Sequence, residues 1–259
     1  MSGLALLPAG ANVVMQLAQL PVGHAVARSR VSSGSLTRHP WKRTRTTLAF
    51  LVVALVGTDE ERRLIRREID RSHARVRSAP GDPVPYSAFD PELQGWVAAC
   101  LYQGSRQVLA LAGLDEDQFG DELYRHAERL ATTLQVPADW WPSDRTAFAR
   151  YWDDQLARCR FDETTRGYLR AFVELTFVPL ALGRPLAPLH RLLVGHFLPP
   201  ALRDGLGLAW DERRARRAER LVRVLVAANR RLPRALRRFP LNAVLADTRR
   251  RLARGRRVV

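Results

Sequence analysis

His73 is the side chain of this sequence that is best placed to do chemistry. It lies near the end of a helix that the apolar spacing predicts over about residues 59–76, four residues after Ile69 and three before Val76. That spacing puts all three on one helix edge, so we expect the imidazole to face inward. A neutral imidazole held there can bind a metal ion through one nitrogen while the other donates a hydrogen bond. The alternative is a histidine that only packs or hydrogen-bonds within the core, because a single residue discriminates weakly.

Arg43 and Thr47 form a second candidate site at the start of the preceding helix. They are four residues apart, so both side chains are expected on the same helix face. A guanidinium and a hydroxyl placed together can bind an anion or an oxygen-bearing ligand. The alternative is an ordinary helix start, with one positive charge and one hydroxyl that caps the backbone.

Several other kinds of site are excluded by their missing motifs. The sequence has no P-loop, no Gly-x-Gly-x-x-Gly after a strand, no His-Glu-x-x-His and no Gly-x-Ser-x-Gly. His190 and His196 are six residues apart, about 240° around a helix, so they cannot share a metal on one face. Cys100 and Cys159 have neither metal-binding nor redox spacing, which favours free thiols in a cytoplasmic protein.

The elements that must position these residues are predicted to be helices, because helical periodicity dominates and strand alternation is nearly absent. Thr44–Val56 is apolar almost all round, which predicts a fully buried central helix. Thr58 and Glu61 predict a capping box that starts the helix bearing His73. Asp90-Pro91-Glu92 predicts the start of the helix after the proline-rich loop. We therefore expect an all-α fold, a single multi-helix globular domain over residues 1–259.

Composition agrees with an ordinary globular protein. The chain has 259 residues, of which 46% are hydrophobic. The longest apolar run, Leu48–Val56, is far shorter than the roughly 20 residues that a membrane-spanning helix needs. The first residues have no basic region of the kind that precedes a secretory signal, so a cytoplasmic protein is expected.

Positive charge is concentrated at the C-terminal end. Residues 203–259 hold 18 basic and 5 acidic residues, a net charge of +13 out of +16 for the chain. A helix predicted over 211–231 turns an apolar stripe inward (Ala218, Leu221, Val222, Leu225 and Ala228) and a basic strip outward (Arg213, Arg216, Arg220 and Arg223). Weak peripheral contact with an anionic membrane, or a plain solvated surface, would explain that strip. Nucleic-acid binding is disfavoured because no recognition motif accompanies the charge.

The chain resembles the haem-dependent oxygenase family that includes latex-clearing protein, a rubber oxygenase, and the MpaB enzymes of fungal meroterpenoid biosynthesis. The similarity is clear over about residues 9–156 and looser beyond. It rests on five motifs in the family's order: the N-terminal helix GANVVMQLAQLPVGHAVA, Arg43-Thr-Arg-Thr-Thr47 before an apolar stretch and Gly57-Thr58, His73-x-x-Val76, the block Tyr86-Ser-Ala-Phe-Asp-Pro-Glu-Leu93 with Trp96-Val97, and Leu134-Gln-Val-Pro137 followed by Pro142.

The resemblance implies a haem b cofactor with His73 as the proximal ligand of the iron. Arg43 and Thr47 would then lie on the polar side of the cofactor, as catalytic residues facing dioxygen or a propionate. Tyr86 and Trp96 fall in the motif block and would contribute to cofactor binding. The expected partners are dioxygen and an apolar small-molecule substrate.

Two positions depart from the family pattern. Ala98 stands where the family often has a histidine, and Thr46 stands where some members have a lysine. A protein of another class is therefore kept as the alternative. That alternative is a non-catalytic helical protein whose basic C-terminal surface binds an anionic membrane or a partner.

Overall fold

The fold is helical throughout the part of the chain that the computed structural model describes, residues 2–29 and 39–259. The helices in these two ranges are α1 (Ala9–Leu17), α2 (Leu20–Ala27), α3 (Pro40–Val56), α4 (Asp59–His73), α5 (Pro91–Ala112), α6 (Gly120–Thr132), α7 (Arg145–Arg158), α8 (Glu163–Val173), α9 (Leu180–Phe197), α10 (Pro200–Leu206), α11 (Glu212–Arg231), α12 (Arg234–Arg237) and α13 (Leu241–Ala253). These described residues form no strand, apart from an isolated bridge between Arg77 and Ser87. The all-α prediction is confirmed. The predicted domain of residues 1–259 also includes Met1 and residues 30–38, which lie outside the described residues.

The helices that flank the proline-rich loop start where the caps predict. The Thr58 hydroxyl accepts from the Glu61 amide at 3.2 Å, and the Thr58 amide donates to the Glu61 carboxylate at 2.9 Å. Asp90 Oδ1 accepts from the amide of Glu92 at 2.9 Å, with Pro91 as the first residue of α5. Each cap satisfies donors that a helix start leaves free, so it fixes the first residue of α4 or α5.

Helix α3 contributes to the core, but it is not buried all round. Its inward face is buried at Thr46, Ala49, Phe50 and the run Val52–Ala54. Its first turns are open to solvent, with Trp41 83% exposed, and so are Thr47 and Val56. The expectation of complete burial is wrong: α3 packs against α4, α6 and α13, but Thr44, Thr47 and Val56 are exposed.

Helix α1 occupies the more central place, in contact with α2, α5, α8 and α9. Small residues allow this close packing. A Cβ on Gly10 would lie 2.7 Å from His190 Nε2 on α9, and a Cβ on Gly104 of α5 would lie 2.6 Å from Asn12 Nδ2. Asn12 is itself buried and donates to the carbonyl of Cys100 at 2.5 Å. This bond satisfies a buried amide and holds α1 against α5.

Helix α9 continues through two prolines, a residue type that usually ends or kinks a helix. Pro185 and Pro188 lie inside the helix, where each removes one backbone donor. The carbonyl groups that lose a partner belong to Ala181 and Arg184, and both residues are exposed. Water can bond to these carbonyls, so packing of α9 against α1 and α11 is enough to keep the helix continuous.

The basic C-terminal segment is folded onto the rest of the molecule. Helix α11 buries Ala218 and Val222 and packs against α9, while α13 packs against α3 and α4. The four arginines predicted to face outward are exposed, as is Ala228, which was expected to face inward. None of the described helices has both the length and the apolar character needed to cross a bilayer.

Candidate functional site

His73 is the last residue of α4 and is half-buried. The helix ends here, three residues before the predicted end, because the amide of Val76 bonds back to the carbonyl of His73 at 2.8 Å. Burial lowers the pKa of the imidazole; the hydrogen bond to Gln135 opposes this, and the nearby charge of Arg43 lowers it further. The ring is therefore neutral at pH 7, the form that binds a metal ion.

A network of amide groups surrounds one edge of the His73 ring. His73 Nδ1 lies 3.3 Å from Gln135 Oε1. Gln135 also bonds to Asp70, one turn before His73 on α4, and exchanges hydrogen bonds with Gln94 on α5. Gln94 in turn reaches the carbonyl of Ala88 in the loop. The end of α4, the proline-rich loop and the start of α5 are thus joined at His73.

Arg43 lies near the start of α3, where protein surrounds its guanidinium although the residue is still exposed to solvent. Protein surrounds the guanidinium sufficiently for burial to lower its pKa, with partial compensation from Tyr168. The residue is nevertheless exposed to solvent. None of the carboxylates in the described ranges forms an ion pair with it, so a charge that is costly to enclose has no acidic partner among these residues.

Tyr168 on α8 belongs to the same neighbourhood and was not found by sequence reasoning. Its hydroxyl oxygen is buried and has no hydrogen-bond partner among the described residues. Burial raises the pKa of the phenol, and the charge of Arg43 lowers it. Buried polar groups are normally hydrogen-bonded, so this hydroxyl is available to bond to water or to a bound ligand.

The other predicted site residues lie in different surroundings. Thr47 is exposed one turn after Arg43, whereas Thr46 is buried and donates to the carbonyl of Arg43 at 3.0 Å. Tyr86 is buried in the loop. Its backbone amide donates to Ser78 Oγ at 3.1 Å and does not bond to the His73 ring.

Trp96 is a core residue with no accessible surface. Its indole N–H donates to the carbonyls of Met15 and Gln16, both at 3.2 Å, and its ring stacks on Trp152 at 5.1 Å between centroids. Arg43 thus lies near enough for its charge to lower the pKa of His73, whereas Trp96 lies apart in the packing between α1 and α5. Ala98, at the departure from the family pattern, is also fully buried.

Other histidines have structural partners of their own. His24 is buried and lies 2.6 Å from Asp162, and His126 Nε2 lies 2.6 Å from the carbonyl of Leu55. His190 Nδ1 lies 3.0 Å from the carbonyl of Val173. Within residues 2–29 and 39–259, no three His, Cys, Asp or Glu side chains are grouped so that they could hold a metal ion.

Two cavities elsewhere in the molecule do not include His73 or Arg43. A groove of about 580 Å³ lies between the end of α5 and α11. A smaller cavity of about 160 Å³ lies beside Tyr102 and Arg145.

The residues at His73 fit a haem group in three respects. His73 Nε2 forms no hydrogen bond with a described residue, so it is available to iron. Arg43 can neutralise a propionate or bind an oxygen ligand, and the Tyr168 hydroxyl offers a further hydrogen bond. Haem would bring its own porphyrin nitrogens as iron ligands, so one protein ligand would be sufficient and no histidine cluster would be required.

The fold and this site define a class: an all-α protein in which a half-buried histidine lies near an arginine that forms no ion pair with a described residue. The chain belongs to the family described as "ER-bound oxygenase mpaB/B'/Rubber oxygenase, catalytic domain", whose model matches residues 1–227. The predicted resemblance is confirmed, and the match extends well beyond residue 156, through most of α11.

Two relatives resemble the whole chain. They are the uncharacterized protein Rv2237 of Mycobacterium tuberculosis and the uncharacterized protein Mb2261 of Mycobacterium bovis. Each is 44% identical over 255 residues, which cover 98% of this chain and 100% of the relative. No solved structure matches the chain.

Proposed function

We propose that the protein binds haem b and uses dioxygen to oxidise an apolar small molecule. The observation that carries the proposal is membership of the oxygenase family over residues 1–227. The imidazole of His73, whose Nε2 bonds to no described residue, and the Arg43 cation, which pairs with no described carboxylate, support it from the structure.

In this proposal each residue has a definite part. Haem iron, when bound, supplies the chemistry of dioxygen activation. His73 binds the iron through Nε2, and Arg43 and Thr47 present a cation and a hydroxyl to a propionate or to dioxygen. Tyr168 adds a phenol beside Arg43. Tyr86 and Trp96 remain predictions from the resemblance; Trp96 would act through packing, since its indole N–H is already bonded.

The experiment that tests the proposal is an absorption spectrum of the protein reconstituted with haem. We expect a Soret band, and in His73→Ala a band that is lost or strongly shifted because the axial ligand is gone. The helical circular dichroism of this variant should stay nearly unchanged, since His73 is the last residue of α4.

His126→Ala is the matched control, because His126 is also half-buried and helical but bonds to a backbone carbonyl. It should keep the wild-type spectrum. An unchanged spectrum in His73→Ala would reject His73 as the ligand. No Soret band in the reconstituted wild-type protein would reject haem binding itself.

We further propose a location in the cytoplasm with weak peripheral contact to anionic membranes, and a single domain over residues 1–259. Two free cysteines support the first point, since disulfides are rare in the reducing cytoplasm. The exposed arginines of α11 support the membrane contact.

A further inference from the structure

The side-chain amide of Gln135 has one orientation that satisfies its neighbours. Its Nε2 lies within hydrogen-bond distance of Asp70 Oδ1. A carboxylate oxygen accepts hydrogen bonds, so the group facing it must be the donor. The nitrogen end of the amide therefore faces Asp70, and Oε1 faces away from it.

Gln94 fixes the same orientation independently. The backbone N–H of Gln135 donates to Gln94 Oε1 at 2.6 Å, and a backbone N–H cannot accept. Gln94 Nε2 is thereby turned to donate to the carbonyl of Ala88 and to Gln135 Oε1. Three groups of fixed polarity, a carboxylate, a backbone N–H and a backbone carbonyl, thus agree that Gln135 Oε1 is an acceptor.

His73 meets this acceptor through Nδ1, at 3.3 Å. An acceptor oxygen requires a donor opposite, so the proton of the ring must be on Nδ1. A neutral imidazole carries one proton on its two ring nitrogens. Nε2 then keeps its lone pair.

We propose that Gln135 is a positioning residue that holds His73 in the Nδ1–H tautomer, and that Asp70 and Gln94 hold Gln135 in the orientation this requires. Histidine in water favours the other tautomer, with the proton on Nε2, so the network reverses the intrinsic preference. The inference rests on the proposed function in one respect only, the use of the free Nε2 as an iron ligand.

The tautomer is measured by long-range proton–nitrogen correlation NMR on the full-length chain, labelled with ¹⁵N-histidine and kept free of haem. Two histidines provide internal references. His126 Nε2 lies 2.6 Å from the carbonyl of Leu55 and must carry its proton on Nε2. His190 Nδ1 lies 3.0 Å from the carbonyl of Val173 and must carry its proton on Nδ1. We expect His73 to show the His190 pattern; the His126 pattern for His73 overturns the inference.

Variants of the network test which residue sets the tautomer. Gln135→Met removes the acceptor, so His73 should shift to the Nε2–H pattern while His126 and His190 stay as they are. Asp70→Asn can still present an amide oxygen to Gln135 and should keep the wild-type pattern. A His73 pattern unaffected by Gln135→Met contradicts the role of Gln135. If Gln135→Met does not fold, the wild-type spectrum and Asp70→Asn still decide the question.

The haem-loaded protein gives a second readout. A bond donated from Nδ1–H makes Nε2 a stronger donor to iron. The iron–histidine stretching frequency in the ferrous resonance Raman spectrum should therefore fall in Gln135→Met relative to wild type, and an unchanged frequency contradicts the proposal. The two failures are distinguishable: an Nδ1–H pattern without haem binding rejects the proposed function and keeps the tautomer, whereas haem binding with an Nε2–H pattern does the reverse.

Discussion

Arg43 provides a sharp test at the scale of single residues. Its positive charge has no carboxylate partner in the described part of the chain, so a bound propionate or oxygen ligand would be its first strong partner. A hydrogen bond to a charged group contributes about 1.5–3 kcal/mol. We expect Arg43→Leu to weaken haem binding by roughly 10- to 100-fold, since about 1.4 kcal/mol corresponds to a factor of ten. Titration of the haem-free protein, followed at the Soret band, measures the change.

Arg45→Leu is the control for that experiment. Arg45 lies two residues away on α3, and its nearest acid is Asp247 on α13, at 3.9 Å. This variant should keep wild-type haem affinity. Arg43→Leu should not lower the melting temperature of the haem-free protein, because it removes an enclosed and unpaired cation. Equal losses of affinity in both variants would assign the effect to general charge rather than to the site.

The sequence supports only part of this site, for a physical reason. His73, Arg43 and Thr47 are recognisable because helix periodicity and motif order act over short distances. Gln135 is 62 residues from His73, and only tertiary packing brings its amide to the ring. Tyr168 sits on α8, far along the chain from Arg43, and an amphipathic helix pattern contains no sign of the charge it will meet.

At the scale of helices, the contact between α1 and α5 depends on Gly104. A Cβ there would lie 2.6 Å from Asn12 Nδ2, which is buried and bonded to the carbonyl of Cys100. Gly104→Ala should force the amide away from its partner and leave buried polar groups unsatisfied. We expect a loss of about 1–3 kcal/mol in the free energy of unfolding, measured by urea denaturation.

Gly167→Ala on α8 is the matched control for Gly104→Ala. Gly167 is also helical, but nothing lies within 4 Å of a Cβ built on it. Alanine should stabilise this helix by about 1 kcal/mol, because it loses less backbone entropy than glycine. If both variants lost stability, alanine would destabilise these helices even without a close contact. The close approach of α1 and α5 would then not explain the result for Gly104→Ala.

Helix starts proved easier to predict than helix ends. The capping residues Thr58 and Asp90 bond to residues two or three positions later in the sequence. Nearby residues therefore determine where α4 and α5 start. The end of α4 depends on the loop instead: the Ala88 amide donates to the carbonyl of Val76 at 2.9 Å, and this pairing draws Val76 out of the helix. The prolines of α9 do not end that helix, because solvent can replace the hydrogen bonds that they remove.

For the molecule as a whole, the basic C-terminal segment supports the helices that carry the site. Helix α13 packs against α3 and α4. Arg249 pairs with Glu61 of α4 at 2.8 Å, and the amides of Val258 and Val259 donate to Glu68 at 2.8 and 2.9 Å. The segment therefore fixes α3, with Arg43, relative to α4, with His73, and its positive charge is presented on a folded surface.

That surface leads to a prediction about membranes. Arg213, Arg216, Arg220 and Arg223 are exposed on α11; Arg216 pairs with Glu212 at 2.9 Å, which leaves three arginines without an ion pair to a described residue. Each basic group near an anionic bilayer contributes about 1 kcal/mol. We expect the protein to sediment weakly with anionic vesicles, to stay in solution with neutral vesicles, and to release at high salt, where screening shortens the reach of charge to about 3 Å at 1 M.

Two double variants with reversed charges distinguish membrane binding through the α11 arginines from binding through the net charge of the protein. Arg220→Glu with Arg223→Glu should abolish sedimentation with anionic vesicles, because the strip then carries both signs. Arg63→Glu with Arg67→Glu changes the net charge by the same amount on the exposed side of α4 and should leave sedimentation nearly unchanged. If both pairs lose sedimentation equally, long-range attraction to the whole molecule explains it, and if the wild-type protein sediments with neither lipid, the strip is a solvated surface.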